Sequence, residues 1–295
     1  MFIRSKLFVP GSRSELFGKA ADSEADAISF DLEDAVPPDR KDEARQSVAS
    51  FLRGRGTSPG KVAIVRVNAI STAWFARDVE ELSCPGVDVI NLPKVESAGD
   101  IRVAIEAIAR AEYAGGNRNQ IRVLANIETP KGLRLAAEIA AAHPRVMGLQ
   151  IGFADLFLPL GIDRLNAAAR NYVRAAVRMA AGEAGLPAYD AAFPDVRSPD
   201  LCREEAETAR SLGFAGKSCI HPSQIAIANE IFAPRQAEIE YACKILQAAR
   251  EAADRGIQAF AVEGQLIDAP MIDHARAVAQ AAGRHEADRS APARS

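Results

Sequence analysis

Ile121-Arg122-Val123-Leu124-Ala125-Asn126-Ile127-Glu128-Thr129-Pro130-Lys131-Gly132-Leu133 contains one complete change of structure. Residues 121–127 form a short apolar run with β-branched side chains, which reads as a strand. Thr129 followed by Pro130 reads as a helix start, a capping hydroxyl and then a proline where the backbone N–H has no helical partner. Leu133, Ala136 and Ala140 then recur on one helical face. Glu128 is thereby left at the C-terminal end of a strand, immediately before a helix.

The same alternation runs outward in both directions. Strand-like runs occur at Lys6 to Val9, Ala27 to Leu32, Ala63 to Asn68, Val87 to Pro93, Val146 to Gly152, Ala188 to Asp190 and Gly216 to His221. Helical periods lie between them, as in Ser97 to Tyr113, where Ile101, Ile105 and Ile108 share a face behind a serine N-cap. Eight β-runs alternating with helices predict an α/β fold, a single (β/α)₈ TIM barrel, over residues 1–222. Residues 223–284 follow as a C-terminal helical extension, with helices at Ile225 to Phe232 and about Arg235 to Arg255. Residues 285–295 lack periodicity and read as a disordered tail.

With 295 residues the chain has room for two domains of about 150 residues, yet one barrel fills ~250. Hydrophobic residues are 48% and charged residues 25%, which excludes wholesale disorder and collagen-like repeats. A net charge of −3 gives no basic field for nucleic acid. No apolar run approaches the ~20 residues of a membrane span, and Met1-Phe2-Ile3-Arg4-Ser5 has no signal-peptide character, so a cytoplasmic protein is expected. Cys84, Cys202, Cys219 and Cys243 form no Cys-x-x-Cys pair and read as reduced core thiols.

Polar residues at the C-terminal ends of barrel strands face the active-site mouth, and nearly every strand here ends in charge. The ends carry Arg13, Asp31 with Glu33 and Asp34, Arg66 with Asn68, Lys94 with Glu96, Glu128, Asp155, Asp190 with Asp195, and Lys217 with His221. Carboxylates converging from four or more strands repel one another unless a cation sits among them, which argues for a metal. Oxygen donors without His or Cys favour Mg²⁺, and Glu128 with Asp155, from consecutive βα units, is the best ligand pair. Gly213-Phe214-Ala215-Gly216-Lys217-Ser218 mimics the end of a phosphate-binding loop but has Ser211 where glycine is required. His221 is read as a structural hydrogen-bonder rather than a general base.

Several of these segments resemble a known family. Leu7-Phe8-Val9-Pro10-Gly11-Ser12-Arg13, Phe30-Asp31-Leu32-Glu33-Asp34-Ala35-Val36, Val65-Arg66-Val67-Asn68, Leu92-Pro93-Lys94-Val95-Glu96, Ile127-Glu128-Thr129-Pro130 and Gly216-Lys217-Ser218-Cys219-Ile220-His221-Pro222 resemble the citrate lyase beta subunit family. This is the acyl-CoA lyase branch of the aldolase and citrate lyase superfamily. The resemblance runs from about Lys6 to Ala275, in order.

It implies that Glu128 and Asp155 hold Mg²⁺, that Arg66 contacts the keto-acid half of the substrate, and that Arg13 lies near a coenzyme A thioester. It also implies that Asp268, in Gly264-Gln265-Leu266-Ile267-Asp268, reaches into a neighbouring subunit of a homo-oligomer, a trimer or hexamer. The expected reaction is cleavage of a 3-hydroxy-acyl-CoA into acetyl-CoA and a 2-keto acid, or its reverse. Arg66 would neutralise developing charge, Asp268 would move a proton at the acetyl methyl carbon, and Glu33 and Asp34 would hold Arg66 or metal-bound waters. The tract between Asp155 and Asn171 is shorter than in malyl-CoA lyases, and citramalyl-CoA is favoured over malyl- and citryl-CoA. The alternatives are a citrate lyase subunit acting on an acyl carrier protein, a metal-dependent aldolase of free hydroxy-keto acids, and a silent binding protein.

Overall fold

Residues 3–55, 60–117, 119–254, 256 and 259–290 are described in a computed structural model of the chain. The strands are β1 (Ser5–Pro10), β2 (Ala27–Asp31), β3 (Val62–Arg66), β4 (Val89–Leu92), β5 (Arg122–Ile127), β6 (Val146–Ile151), β7 (Ala188–Asp190) and β8 (Gly216–Cys219). Each pairs in parallel with the next, and β1 pairs with β8, closing the eight-stranded barrel expected from the sequence. The helices around it are α1 (Phe17–Ala21), α2 (Lys41–Arg55), α3 (Phe75–Leu82), α4 (Ala98–Ala114), α5 (Pro130–Arg134), α6 (Ala136–Ala140), α7 (Phe153–Phe157), α8 (Ala167–Glu183), α9 (Pro199–Ser211) and α10 (Ser223–Ile231).

The period of two along each strand sorts side chains into two cores. Outward-facing Leu7, Val9, Ile90 and Leu92 pack with Leu52, Val79, Ile101, Ile108, Ile139 and Val177 of the helices. Each fully buried aliphatic side chain there contributes about 1.5–3 kcal/mol. Inside the barrel, Ile3, Ala27, Ile64, Val89, Leu124, Met147 and Tyr189 form an apolar plug at the N-terminal end. One step along the strands the interior turns polar, with Lys6, Asn91, Asn126 and Gln150. The C-terminal ends carry Asp31, Arg66 and Glu128. The plug carries the packing, so the opposite mouth is free for chemistry.

Local signals behave as read. The Thr129 hydroxyl accepts the Gly132 N–H at 3.0 Å, with Pro130 opening the helix, though this helix breaks at Leu135 into α5 and α6. Ser97 Oγ accepts the Asp100 N–H, capping α4.

The chain divides into two units, Ile3–Phe232 and the part from Ala233 onward. The first unit thus passes the expected boundary at 222, because Ile225, Ala228 and Ile231 of α10 join the barrel–helix core. The second unit holds α11 (Gln236–Ala253), an antiparallel hairpin of β9 (Phe260–Val262) and β10 (Gln265–Ile267), and α12 (Ala269–Ser290). Its core is Ala242, Ile245, Val262, Ile267 and Ala275, so two apolar residues flanking Asp268 in the sequence serve their own unit, while Leu266 is exposed. The tail expected over 285–295 overlaps α12, which continues to Ser290; residues 291–295 lie outside the described residues. No described helix is long and apolar enough to cross a membrane. Cys84, Cys202 and Cys219 are buried free thiols, but Cys243 is exposed rather than in a core.

Candidate active site

Arg66 ends β3 opposite Asp31 on β2, and the two form a bidentate pair at 2.8 and 2.7 Å. The third guanidinium nitrogen lies 2.9 Å from Glu33, with Asp34 at 3.6 Å, and the Phe8 ring lies 5.1 Å from the guanidinium carbon. Burial opposes the Asp31 carboxylate, but Arg66 and the N–H groups of Glu33 and Ala35 outweigh it and hold its pKa below the usual range. Glu33 goes the other way: burial exceeds the help of Arg66 and Lys94, and its pKa is raised. The guanidinium is clamped from three sides, so its orientation is set before any substrate arrives.

Glu128 follows β5 and is only 2% exposed. One carboxylate oxygen accepts the Lys94 backbone N–H at 2.7 Å and the other the Asn126 side-chain N–H at 3.2 Å. Among the described residues it has no ion pair. Burial, then repulsion from Glu33, raises its pKa to about 7. Gly152 makes room for it, since a Cβ there would stand 2.2 Å from Glu128 Oε2.

Lys94 connects the two halves of the site. It follows Pro93 at the end of β4 with φ of 51°, a left-handed conformation that costs a non-glycine residue about 1–3 kcal/mol and is held where function over-determines the backbone. Its N–H faces Glu128, while Nζ lies 2.7 Å from Glu33, 3.5 Å from Asp155 and 3.7 Å from Asp34. Asp155 sits in the first turn of α7, anchored by buried Phe153 and Phe157, which stack on each other. Carboxylates from three strand ends, those of β2, β5 and β6, converge here rather than from the four or more expected, with an ammonium among them.

A divalent ion fits this donor set. Glu128 is a buried carboxylate with no cation of its own, Asp155 is partly exposed beside it, and its charge reaches Glu128. Among the described residues no three His, Cys, Asp or Glu side chains form a group able to hold a metal by themselves; Mg²⁺ is an ion held by one or two carboxylates and otherwise by water and substrate.

Other charges at strand ends are placed differently. Asp190 and Lys217 point outward, because the period of two turns them into the helix layer. There Lys217 Nζ lies 2.9 Å from both Asp190 and Glu205, and Arg174 grips Asp190 with two bonds. This buried cluster is structural; removing one member of such a set costs about 3–5 kcal/mol. His221 is exposed and bonds Ser223 Oγ at 2.8 Å, in keeping with a structural role. Arg13 is half exposed on the loop after β1 and pairs with Glu15. Asp268 lies in the second unit, exposed, its carboxylate near the Met271 N–H at the start of α12. Asp31 and Lys94, named from the sequence only as strand-end charges, and Asn126, not named at all, join the site. The first two had a signal in their strand-end positions, and Asn126 had one in its place two residues before Glu128.

Residues 4–222 match the family described as HpcH/HpaI aldolase/citrate lyase. The chain belongs to this family. The citrate lyase subunit beta of Escherichia coli is 36% identical over 277 residues, 93% of this chain and 91% of that protein. The L-malyl-CoA/beta-methylmalyl-CoA lyase of Rhodobacter capsulatus is 33% identical over 300 residues, 95% of this chain and 94% of that one. Among solved structures, CitE from Mycobacterium tuberculosis in complex with magnesium, acetoacetate and coenzyme A aligns with a TM-score of 0.74 and 35% identity. That alignment covers 96% of this chain and 98% of CitE. Membership in the HpcH/HpaI aldolase/citrate lyase family carries with it the expected enzyme class, a carbon–carbon lyase. The family segment holds Arg66, Glu128 and Asp155 and stops short of Asp268.

Proposed function

We propose that the chain is a Mg²⁺-dependent lyase that splits a 3-hydroxy-acyl-CoA thioester of the citramalyl-, malyl- or citryl-CoA type into acetyl-CoA and a 2-keto acid. The observation that carries this reading is the buried, unpaired Glu128 carboxylate beside Asp155 and a clamped Arg66. The likeness to CitE bound to magnesium, acetoacetate and coenzyme A supports it.

Glu128 and Asp155 would hold Mg²⁺, which when bound supplies Lewis-acid polarisation and a template for the keto-acid oxygens. Arg66, fixed by Asp31 and Glu33, faces the charge that develops as the carbon–carbon bond breaks, at no cost of reorientation. The carbinol carbon becomes the keto acid and the α carbon becomes the acetyl methyl. The proton lost from the hydroxyl balances the one gained at that methyl. Asp268 of a neighbouring copy delivers that proton in a homotrimer or hexamer. Arg13, on the loop after β1, takes the coenzyme A portion. The protein acts in the cytoplasm, where its free thiols stay reduced.

The relation to citrate lyase subunit beta favours a second reading, in which the thioester is carried on an acyl carrier protein. One experiment separates them. Purified protein is incubated with malyl-, citramalyl- and citryl-CoA and with free hydroxy-keto acids, each with Mg²⁺ or EDTA, and keto acid is measured. Turnover of a coenzyme A thioester that EDTA abolishes is expected. Turnover only of free hydroxy-keto acids would mark an aldolase, and no turnover of any free thioester would favour the carrier-linked subunit.

A further inference from the structure

Lys6 lies inside the barrel, 3% exposed, and no step of the proposed reaction uses it. Its Nζ donates to Gln150 Oε1 and, at 3.4 Å, to Asn91 Oδ1. Asn91 Nδ2 donates to Asn126 Oδ1 at 2.6 Å and to the Leu124 carbonyl at 3.0 Å. Asn126 Nδ2 donates to Glu128 Oε2 at 3.2 Å. Four side chains from β1, β4, β5 and the end of β5 thus form one directed line of hydrogen bonds. We propose that Lys6 is a positioning residue that sets the orientation of the Glu128 carboxylate from inside the barrel, through Asn91 and Asn126.

The ends of the line fix its direction. Lys6 Nζ donates to the Gln150 and Asn91 amide oxygens and the ionised Glu128 carboxylate only accepts, so the two asparagine amides between them have one consistent orientation when Glu128 is ionised. Without Lys6, Asn91 Oδ1 loses that donor, and its amide, still oriented by the Leu124 carbonyl, can shift toward the vacated space and loosen its bond to Asn126. Asn126 then holds Glu128 Oε2 less firmly, in an interior where each such bond counts for more than in water. Partners of this kind, one step removed from a metal, typically change affinity by 10–100-fold.

The inference rests on the reading that Glu128 holds the metal, and the test separates the two. Mn²⁺ affinity is measured by titration calorimetry on the full-length protein, with Tm recorded for each variant. Wild type should bind Mn²⁺; if it does not, the metal reading itself falls, and this inference with it. Lys6→Met, of similar length and without a donor, should lose about tenfold in Mn²⁺ affinity while keeping its Tm. Asn91→Leu should lose a similar amount, and the double variant no more than either alone, because both cut the same line. Mn²⁺ binding by Lys6→Met within twofold of a binding wild type would overturn the proposal, as would losses that add in the double variant. Should Lys6→Met fail to fold, Asn91→Leu decides alone: unchanged Mn²⁺ affinity in that folded variant overturns it.

Discussion

Glu128 is buried with neutral donors on both oxygens, and the pull of the Arg66 charge does not make up for burial and the repulsion of Glu33. Its pKa of about 7 stands above the ordinary 4.5. Between those values the folded protein keeps a proton that the unfolded chain releases. This group therefore stabilises the metal-free fold below about pH 4.5, and that contribution is lost as pH rises through about 7. Glu128→Gln keeps the shape and removes the charge. In EDTA, melts between about pH 5 and pH 8 should show a downward trend in wild type that the Gln variant lacks. The variant's Tm at the alkaline end should equal or exceed that of wild type, while Mg²⁺-dependent turnover disappears. An identical trend in both proteins would mean that another group titrates. Mg²⁺ must displace the same proton, so its affinity should rise with pH up to about 7 and then level off. Arg66 poses a different question. Its fork meets Asp31 through two nitrogens and Glu33 through a third, a geometry a point charge does not reproduce. Arg66→Lys should reduce kcat/KM nearly as much as Arg66→Ala, on the order of 100-fold. A Lys variant within a few-fold of wild type would show that only net charge matters there.

At the scale of elements, the site depends on how closely β5 and the start of α7 approach. Gly152 is the point of contact, and an added methyl would stand 2.2 Å from Glu128 Oε2 and 2.6 Å from its Cβ. Gly152→Ala should therefore destabilise the fold by about 1–3 kcal/mol through overpacking and weaken Mn²⁺ binding along with turnover. Gly18→Ala, in a helix where nothing lies within 4 Å of the new methyl, should be neutral or stabilise by up to ~1 kcal/mol. Equal Tm values for the two variants would contradict the close approach. The elements themselves were legible in advance: Thr129-Pro130 and Ser97 announce helix starts through local hydrogen bonding, which needs no tertiary context. The direction in which strand-end charges point was less legible. Asp190 and Asp31 both end strands, yet Asp190 turns outward to Lys217 and Arg174 while Asp31 reaches Arg66. A shift of one residue in where the strand ends exchanges the two faces.

For the molecule as a whole, the proposed assembly makes a claim that single-site variants do not test. If Asp268 completes the site of a neighbouring copy, Asp268→Asn and Glu128→Ala subunits should each be inactive alone. Mixed under conditions that exchange protomers, they should regain part of the activity, on the order of a quarter for random mixing at a site shared between two chains. A mixture that stays inactive although exchange is demonstrated, or an active monomer by sedimentation, would end the shared-site idea. The sequence by itself determined the eight βα units, the barrel and which strands end in charge. These follow from periodicities of two and 3.6 and from capping chemistry, all local to a few residues. Only the tertiary structure decided which charges pair with which. It placed the Lys94 ammonium among Glu33, Asp34 and Asp155, left Glu128 with neutral partners, and ran a line of amides from Lys6 across the barrel interior. Those outcomes depend on closing the barrel, which sets residues 34 and 85 positions apart in the chain within hydrogen-bonding distance, and no local pattern records such separations.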